Sequence, residues 1–124
     1  MSQIDDKMIA FIRRYVRTVG ALEVLLLLHR ESQRTWSADE IARHFRGSAA
    51  AIAEYLAHFK RAGFVVEERA DAFRYAPKDI DADATVSELA GLYGERPVSV
   101  VDVIYTEPSD PVRALADAFK LKKD

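Results

Sequence analysis

The first part of the chain carries apolar residues at helical spacing. Between residues 4 and 19 they recur every three or four positions, and Lys and Arg residues lie mostly on the other side. This pattern predicts an amphipathic helix over residues 4–19. Its apolar arc is wider than a helix needs against a small core, so we expect part of it to contact a second copy of the chain. The dimerisation residues predicted on this helix are Met8, Phe11, Ile12 and Tyr15.

A second helix is predicted after Gly20, which weakens the helical run locally. It extends from Ala21 to about Arg30, and its block Val24–Leu28 is apolar on nearly all sides. Helices without a polar side lie in the centre of a core. We therefore expect this helix to be central and buried.

The clearest local signals lie between Trp36 and Phe45. Ser37 is a favourable N-cap residue, and Glu40, three residues later, completes a capping box. Trp36 and Ile41 occupy the two positions of a hydrophobic staple. These signals predict a helix that starts at Ser37.

A short break over residues 46–48 precedes the next helix. Gly47 is expected to adopt the left-handed conformation that ends a helix, and Ser48 is expected to cap the helix that follows. That helix is predicted over Ala49–Ala62, and Gly63 supplies its C-terminal stop. The side opposite its apolar stripe is expected to face solvent.

The pattern then alternates, as it does in strands. Phe64–Glu68 and Phe73–Ala76 are predicted to form a β-hairpin around a turn at residues 69–72. An acidic linker is predicted over Pro77–Ala84, followed by a helix from Thr85 to about residue 95.

Two further segments complete the chain. Residues 98–105 are rich in β-branched side chains but follow a proline, so helix and strand both stay open. A last helix is predicted over residues 112–122, with Asp110 as its cap and Pro111 in its first turn.

The composition narrows the class of protein. The chain has 124 residues, of which 49% are apolar and 31% charged, which fits one globular domain. No apolar run approaches the roughly 20 residues of a membrane span, and Asp5 and Asp6 stand where a signal peptide would carry basic residues. Cysteine is absent from the sequence. We therefore expect a cytoplasmic protein with no membrane partner.

The charge is small and unevenly distributed. The formal net charge is −2, but residues 1–76 carry 12 Lys and Arg against 10 Asp and Glu, and residues 77–124 carry 6 against 10. A mildly basic first part permits contact with DNA through one face.

No motif of an enzyme or of a metal site is complete. Asp79, Asp81 and Asp83 imitate the start of a calcium loop, but Ala84 and Ala90 stand where that loop needs Gly and Glu. The three histidines are scattered, and the sequence has neither a nucleophile elbow nor a glycine-rich phosphate loop. We expect no enzymatic activity, no metal and no cofactor.

The order of the predicted elements resembles a winged helix-turn-helix. The resemblance is carried by Trp36–Ala42, Ser48–Gly63 and Phe64–Tyr75, and the extra terminal helices resemble bacterial transcriptional regulators of the MarR type. It implies an α+β fold, mostly α, with additional N- and C-terminal helices. The implied segments are a dimerisation helix over 1–20, the winged helix-turn-helix over 21–77 and a helical extension over 78–124.

The resemblance also implies a function and a set of contacts. A regulator of this kind places its recognition helix, here residues 48–62, in the major groove of DNA and its wing, here residues 64–76, on the backbone. It binds as a homodimer, for which Leu115 and Phe119 are predicted contacts in the C-terminal segment. The residues expected to contact DNA are Arg43, Arg46, Ser48, Ala50, Ala51, Glu54, His58, Arg61, Arg69 and Arg74.

Two alternatives stay open. The recognition helix begins with three alanines and carries little net charge, so the same surface would also suit a protein-binding adaptor without sequence-specific DNA binding. A small-molecule effector would add a ligand pocket to the regulator without changing its DNA surface.

Overall fold

A computed structural model describes residues 4–105 of the chain. This part of the chain is mostly helical and includes one small antiparallel sheet of two strands, which confirms an α+β class dominated by helices. The elements are α1 (Asp6–Tyr15), α2 (Val19–Arg30), α3 (Ala38–Phe45), α4 (Ala49–Ala62), β1 (Val65–Arg69), β2 (Ala72–Tyr75), α5 (Ile80–Glu95) and α6 (Pro97–Tyr105). The helix predicted over 112–122, with Leu115 and Phe119, lies outside the described residues.

Helix α2 lies at the centre of the core, as predicted. Leu22, Leu25 and Leu28 have no exposed surface. Helices α4 and α5 and strand β2 all pack against α2, and α1 packs against α4 and α6. One continuous hydrophobic cluster, from Met8 to Val100, therefore joins all the helices.

The prediction of one helix over residues 4–19 is wrong at its C-terminal end. Helix α1 stops at Tyr15, and a new helix begins at Val19. The side chain of Thr18 accepts a hydrogen bond of 2.9 Å from the backbone N–H of Ala21, so Thr18 is the N-cap of α2. A threonine inside a helical pattern can cap a new helix by binding a free N–H group of its first turn.

The boundaries of α3 agree with its local signals. Ser37 accepts a hydrogen bond of 3.0 Å from the N–H of Glu40, and the Glu40 carboxylate accepts one of 2.9 Å from the N–H of Ser37. This reciprocal pair confirms the predicted capping box. At the other end the prediction is wrong, because the left-handed residue is Arg46, with φ 57°, and not Gly47. The left-handed conformation that ends α3 is adopted by the residue directly after the last helical turn, which is Arg46.

Helix α4 has the predicted limits. The Ser48 side chain accepts a hydrogen bond of 3.1 Å from the N–H of Ala51, and Gly63, with φ 89°, ends the helix in the left-handed conformation. Strand β1 then starts after Phe64.

The hairpin is tied to the segment before α3. Strands β1 and β2 pair from Val65 with Tyr75 to Arg69 with Ala72, and a bulge lies between Glu67 and Arg69. Beyond the hairpin, Trp36 pairs with Phe73 as an isolated antiparallel bridge. This bridge was not predictable from the sequence, because a single bridge residue has no periodicity.

The prediction of an acidic linker over 77–84 is wrong. Helix α5 begins at Ile80, because the Asp79 side chain caps it with a hydrogen bond of 2.8 Å from the N–H of Ala82. Thr85 lies inside this helix, where its hydroxyl donates to the carbonyl of Asp81. The open choice for residues 98–105 is resolved as helix. Within residues 4–105, no helix has the length and apolar character to cross a membrane.

Candidate nucleic-acid interface

Helix α4 presents one side to solvent along its whole length. Ile52, Leu56 and Phe59 are buried and fasten the helix to the core. The predicted contact residues Ser48, Ala50, Glu54 and Arg61 are exposed, and Ala51 is half-buried. We call the exposed residues Ser48, Ala50, Ala53, Glu54 and Arg61 the outer face of α4.

The outer face has short side chains near its N-terminal end. Alanines there let another surface approach the helix backbone closely. The N-terminus of a helix carries a partial positive charge and favours a bound anion. Arg43 and Arg46, the predicted phosphate contacts, are both exposed at the end of α3 next to this terminus. The structure therefore places positive side chains at the open end of α4.

His58 lies on a different side of α4 from the one predicted. Its ring is half-buried and faces α1, with a ring-centroid distance of 6.2 Å to Tyr15. Burial lowers the pKa of His58, and the charges of Arg61 and Arg17 lower it further, against a hydrogen bond to the Tyr15 backbone that raises it. The expectation of a surface histidine on the outer face is therefore corrected.

Two positive side chains near the hairpin, Lys60 at the end of α4 and Arg74 on β2, are paired with glutamates of β1. Nε of Arg74 donates a hydrogen bond of 2.6 Å to Glu68, and the Lys60 ammonium group donates one of 2.9 Å to Glu67. The N–H of Asp71 and then Lys60 lower the pKa of Glu67. Arg69 is exposed, so it is the predicted hairpin contact that remains open to a partner.

The α1 residues predicted for dimerisation serve the chain's own core. Met8 and Ile12 are buried, and Phe11 and Tyr15 are half-buried. The rings of Phe11 and Tyr15 contact Phe64 edge-on, at 5.6 and 5.1 Å between centroids. The apolar arc of α1 is wide because this helix packs against both α4 and α6. Met8 and Ile12 are therefore not available to a second copy.

A pocket lies between α2, the end of α3 and α5. It has a volume of about 490 Å³, and Leu26, Phe45 and Tyr93 are among its lining residues. The Tyr93 hydroxyl donates a hydrogen bond of 3.0 Å to Glu23, and burial followed by this carboxylate raises the pKa of Tyr93. The sequence did not predict this pocket, because its walls come from three separated segments.

The described residues contain no group of three or more His, Asp or Glu side chains that could hold a metal ion. The comparisons with known proteins give no match, whether to a family model, a curated protein or a solved structure.

Proposed function

We propose that the chain is a winged helix-turn-helix protein that binds double-stranded DNA and regulates transcription, with α4 as its recognition helix. The observation that carries this proposal is the exposure of the outer face of α4 while its opposite side is fixed in the core. A recognition helix needs both properties, because it must enter the major groove without leaving its own domain.

The order of the elements supports the same proposal. Helix α2 is followed by the Trp36 bridge, by α3 and α4, and then by the hairpin. A winged helix-turn-helix has a first helix, a short strand, two helices at a tight turn and a two-stranded wing. In this comparison Trp36 supplies the short strand.

The outer face offers contacts of three kinds. Ser48 and the free N–H groups at the start of α4 suit a phosphate. Glu54 suits the amino group of a cytosine, and Ala50 suits the methyl group of a thymine. Arg43, Arg46 and Arg69 add positive charge beside the groove, where each phosphate contact increases the salt dependence of binding.

A second candidate function is a protein-binding adaptor. The observation that favours it is the pairing of Lys60 and Arg74 with glutamates of the hairpin. Cations that glutamates already neutralise contribute little to DNA affinity, which depends on Lys and Arg meeting phosphates. The adaptor would use the same outer face for a protein partner.

A regulator of this type would bind a two-fold DNA site as a homodimer. Because Met8 and Ile12 belong to the core, we expect the contact between copies to depend on the segment 112–122 predicted from the sequence. Light scattering measures the mass of the protein in solution and so shows whether it is a dimer. Phe119→Asp is expected to give a monomer. A wild-type protein that is already monomeric would remove the dimer from the proposal.

The proposal is tested by adding one negative charge to the outer face. Ala50→Glu keeps α4 intact, because an acidic residue in the first turn favours a helix. Fluorescence anisotropy with a random duplex of about 20 base pairs should show binding by the wild type that weakens steeply with salt. Ala50→Glu should weaken it at least about tenfold, or about 1.4 kcal/mol.

The matched control is Ala84→Glu, which adds the same charge at an exposed position of α5. It should bind DNA within about twofold of the wild type, because it lies outside the proposed interface. If the wild type causes no change in the anisotropy of duplex DNA at low salt, the adaptor is the better proposal.

A further inference from the structure

A second pocket lies at the C-terminal end of α4, on the side that faces α1. It has a volume of about 390 Å³ and is bounded by α1, α4 and the segment that follows β2. We call it the cationic pocket. Its lining residues are Arg14, Tyr15, His58, Arg61, Ala62 and Lys78.

The positive groups of this pocket have no acidic partner within residues 4–105. The ion pairs described there join Arg34, Lys60 and Arg74 to glutamates elsewhere. Arg14, Arg61 and Lys78 are in none of them, and Arg17 is close enough to act on His58. Like charges brought together repel one another, and an anion bound between them would remove that repulsion.

Packing holds two of these cations in place. The Lys78 N–H donates a hydrogen bond of 2.7 Å to the Gly63 carbonyl. The Lys78 side chain lies so close over Gly63 that a Cβ there would come within 2.7 Å of Lys78 Cδ. The guanidinium carbon of Arg14 lies 5.4 Å from the centre of the Tyr15 ring, a cation–π contact. These contacts orient both side chains without an ion pair, so their N–H groups remain available.

His58 adds an unused polar atom. Its Nε2 is shielded from solvent and has no hydrogen-bond partner among the described residues. Buried polar atoms are normally paired, so an unpaired one calls for an explanation. The ring itself lines the pocket, so an anion bound there would lie beside it and favour its charged form.

We propose that the cationic pocket binds a phosphate group. Three permanent positive charges match a dianion better than a single carboxylate. The two guanidinium groups can each donate paired N–H groups to phosphate oxygens, and Lys78 can add a point charge. The phosphate would belong to a small molecule or to a DNA backbone, and the chemistry of recognition is the same. This inference does not require α4 to be a recognition helix.

The test is a titration with inorganic phosphate, followed through the NMR signals of the His58 ring. The wild type should show saturable shifts, and the His58 signal should titrate at a higher pH when phosphate is bound, because the anion favours the charged ring. Lys78→Met keeps the aliphatic stem over Gly63 and removes the charge, so it should weaken phosphate binding at least about fivefold.

Lys7→Met is the matched control, since Lys7 is exposed on α1 and does not line the pocket. It should leave the phosphate affinity within about twofold of the wild type. If both variants weaken phosphate binding equally, the effect comes from the general loss of one positive charge, and the proposal is wrong. Circular dichroism of each variant checks that the fold is retained.

A second titration, with duplex DNA, shows whether the bound phosphate group belongs to a small molecule or to a DNA backbone. If DNA shifts the His58 signals and inorganic phosphate competes with it, the phosphate is that of the backbone. If phosphate shifts them and DNA does not, the ligand is a small molecule. If neither shifts them, the inference is overturned. Ala50→Glu is a variant of the outer face, so its failure to affect DNA binding would count against the proposed function and not against the pocket.

Discussion

Trp36 and Phe73 exchange two backbone hydrogen bonds of 2.8 Å each. This bridge joins the residue before the α3 capping box to the second strand of the hairpin. The indole is 4% exposed, and the Arg34 guanidinium carbon lies 3.6 Å from its ring centre. The start of α3 and the hairpin are therefore held as one unit, which fixes the position of the hairpin relative to α3.

Removal of the Trp36 side chain should destabilise the whole domain. Trp36→Ala is expected to lower the free energy of unfolding by about 3–5 kcal/mol, because it leaves a cavity under the hairpin. Urea denaturation followed by circular dichroism measures this change. Val98→Ala, at a position that is 73% exposed, should change stability by less than about 0.5 kcal/mol. Equal effects of the two substitutions would contradict the role given to Trp36.

The cap of α5 gives a smaller and more local effect. Asp79→Ala should cost about 1 kcal/mol, because the N–H of Ala82 loses its partner. Asp81→Ala, in the exposed first turn, should cost only a few tenths of a kcal/mol through the helix dipole. Chemical denaturation of both variants measures these changes in the free energy of unfolding. Identical stabilities would contradict the role of the Asp79 side chain as the cap of α5.

These two regions show what the sequence could and could not predict about the fold. The start of α3 was predictable because Ser37 and Glu40 are three residues apart, and the capping box is local. Asp79 was missed because three aspartates alternate there and each looked like part of an acidic linker. Thr18 was missed because the apolar spacing continues through the break between α1 and α2, and spacing alone does not reveal a cap.

The candidate site likewise has features that the sequence predicts and features that depend on tertiary structure. The exposure of Ala50, Glu54 and Arg61 followed from the apolar stripe on the other side of α4. The pairing of Arg74 with Glu68 depends on the register and bulge of the hairpin, which no local pattern gives. The position of His58 depends on where α1 crosses α4, so tertiary packing decided it.

The pairing of Arg74 leads to a prediction about DNA binding. Glu68→Gln removes the negative charge that holds Arg74, so it should increase the affinity for duplex DNA by about two- to fivefold at low salt. The double variant Glu68→Gln/Arg74→Ala should change the affinity by less than about twofold, because the two charges of the pair cancel in the wild type. Anisotropy titrations at two salt concentrations measure both effects. A large loss of affinity in the double variant would show that Arg74 binds phosphate despite its ion pair.

The stability of the protein should depend on pH through His58. Its folded-state pKa lies below its ordinary value of 6.5, because burial and the charges of Arg61 and Arg17 oppose protonation. Arg14 and Lys78 are the other positive residues that line the pocket beside His58. Between the two pKa values the unfolded chain binds more protons, so the contribution of His58 is complete above pH 6.5 and is lost as the pH falls below it.

Thermal unfolding at about pH 5 and about pH 8 tests this dependence. The fall in Tm toward acid should be smaller in His58→Gln than in the wild type, since glutamine does not titrate. Carboxylates titrate in both proteins and cancel in the comparison. A fall that is equal in both would contradict the lowered pKa of His58.

We propose that the outer face of α4 is the surface that contacts DNA. Backbone ¹H–¹⁵N NMR of the chain, titrated with duplex DNA at low salt, locates the contact residue by residue. We expect the largest shifts at Ser48, Ala50 and Glu54, with smaller shifts at Arg43 and Arg69 and little change in α5. Shifts confined to α5 and α6, or no shifts at any DNA concentration, would overturn the proposal.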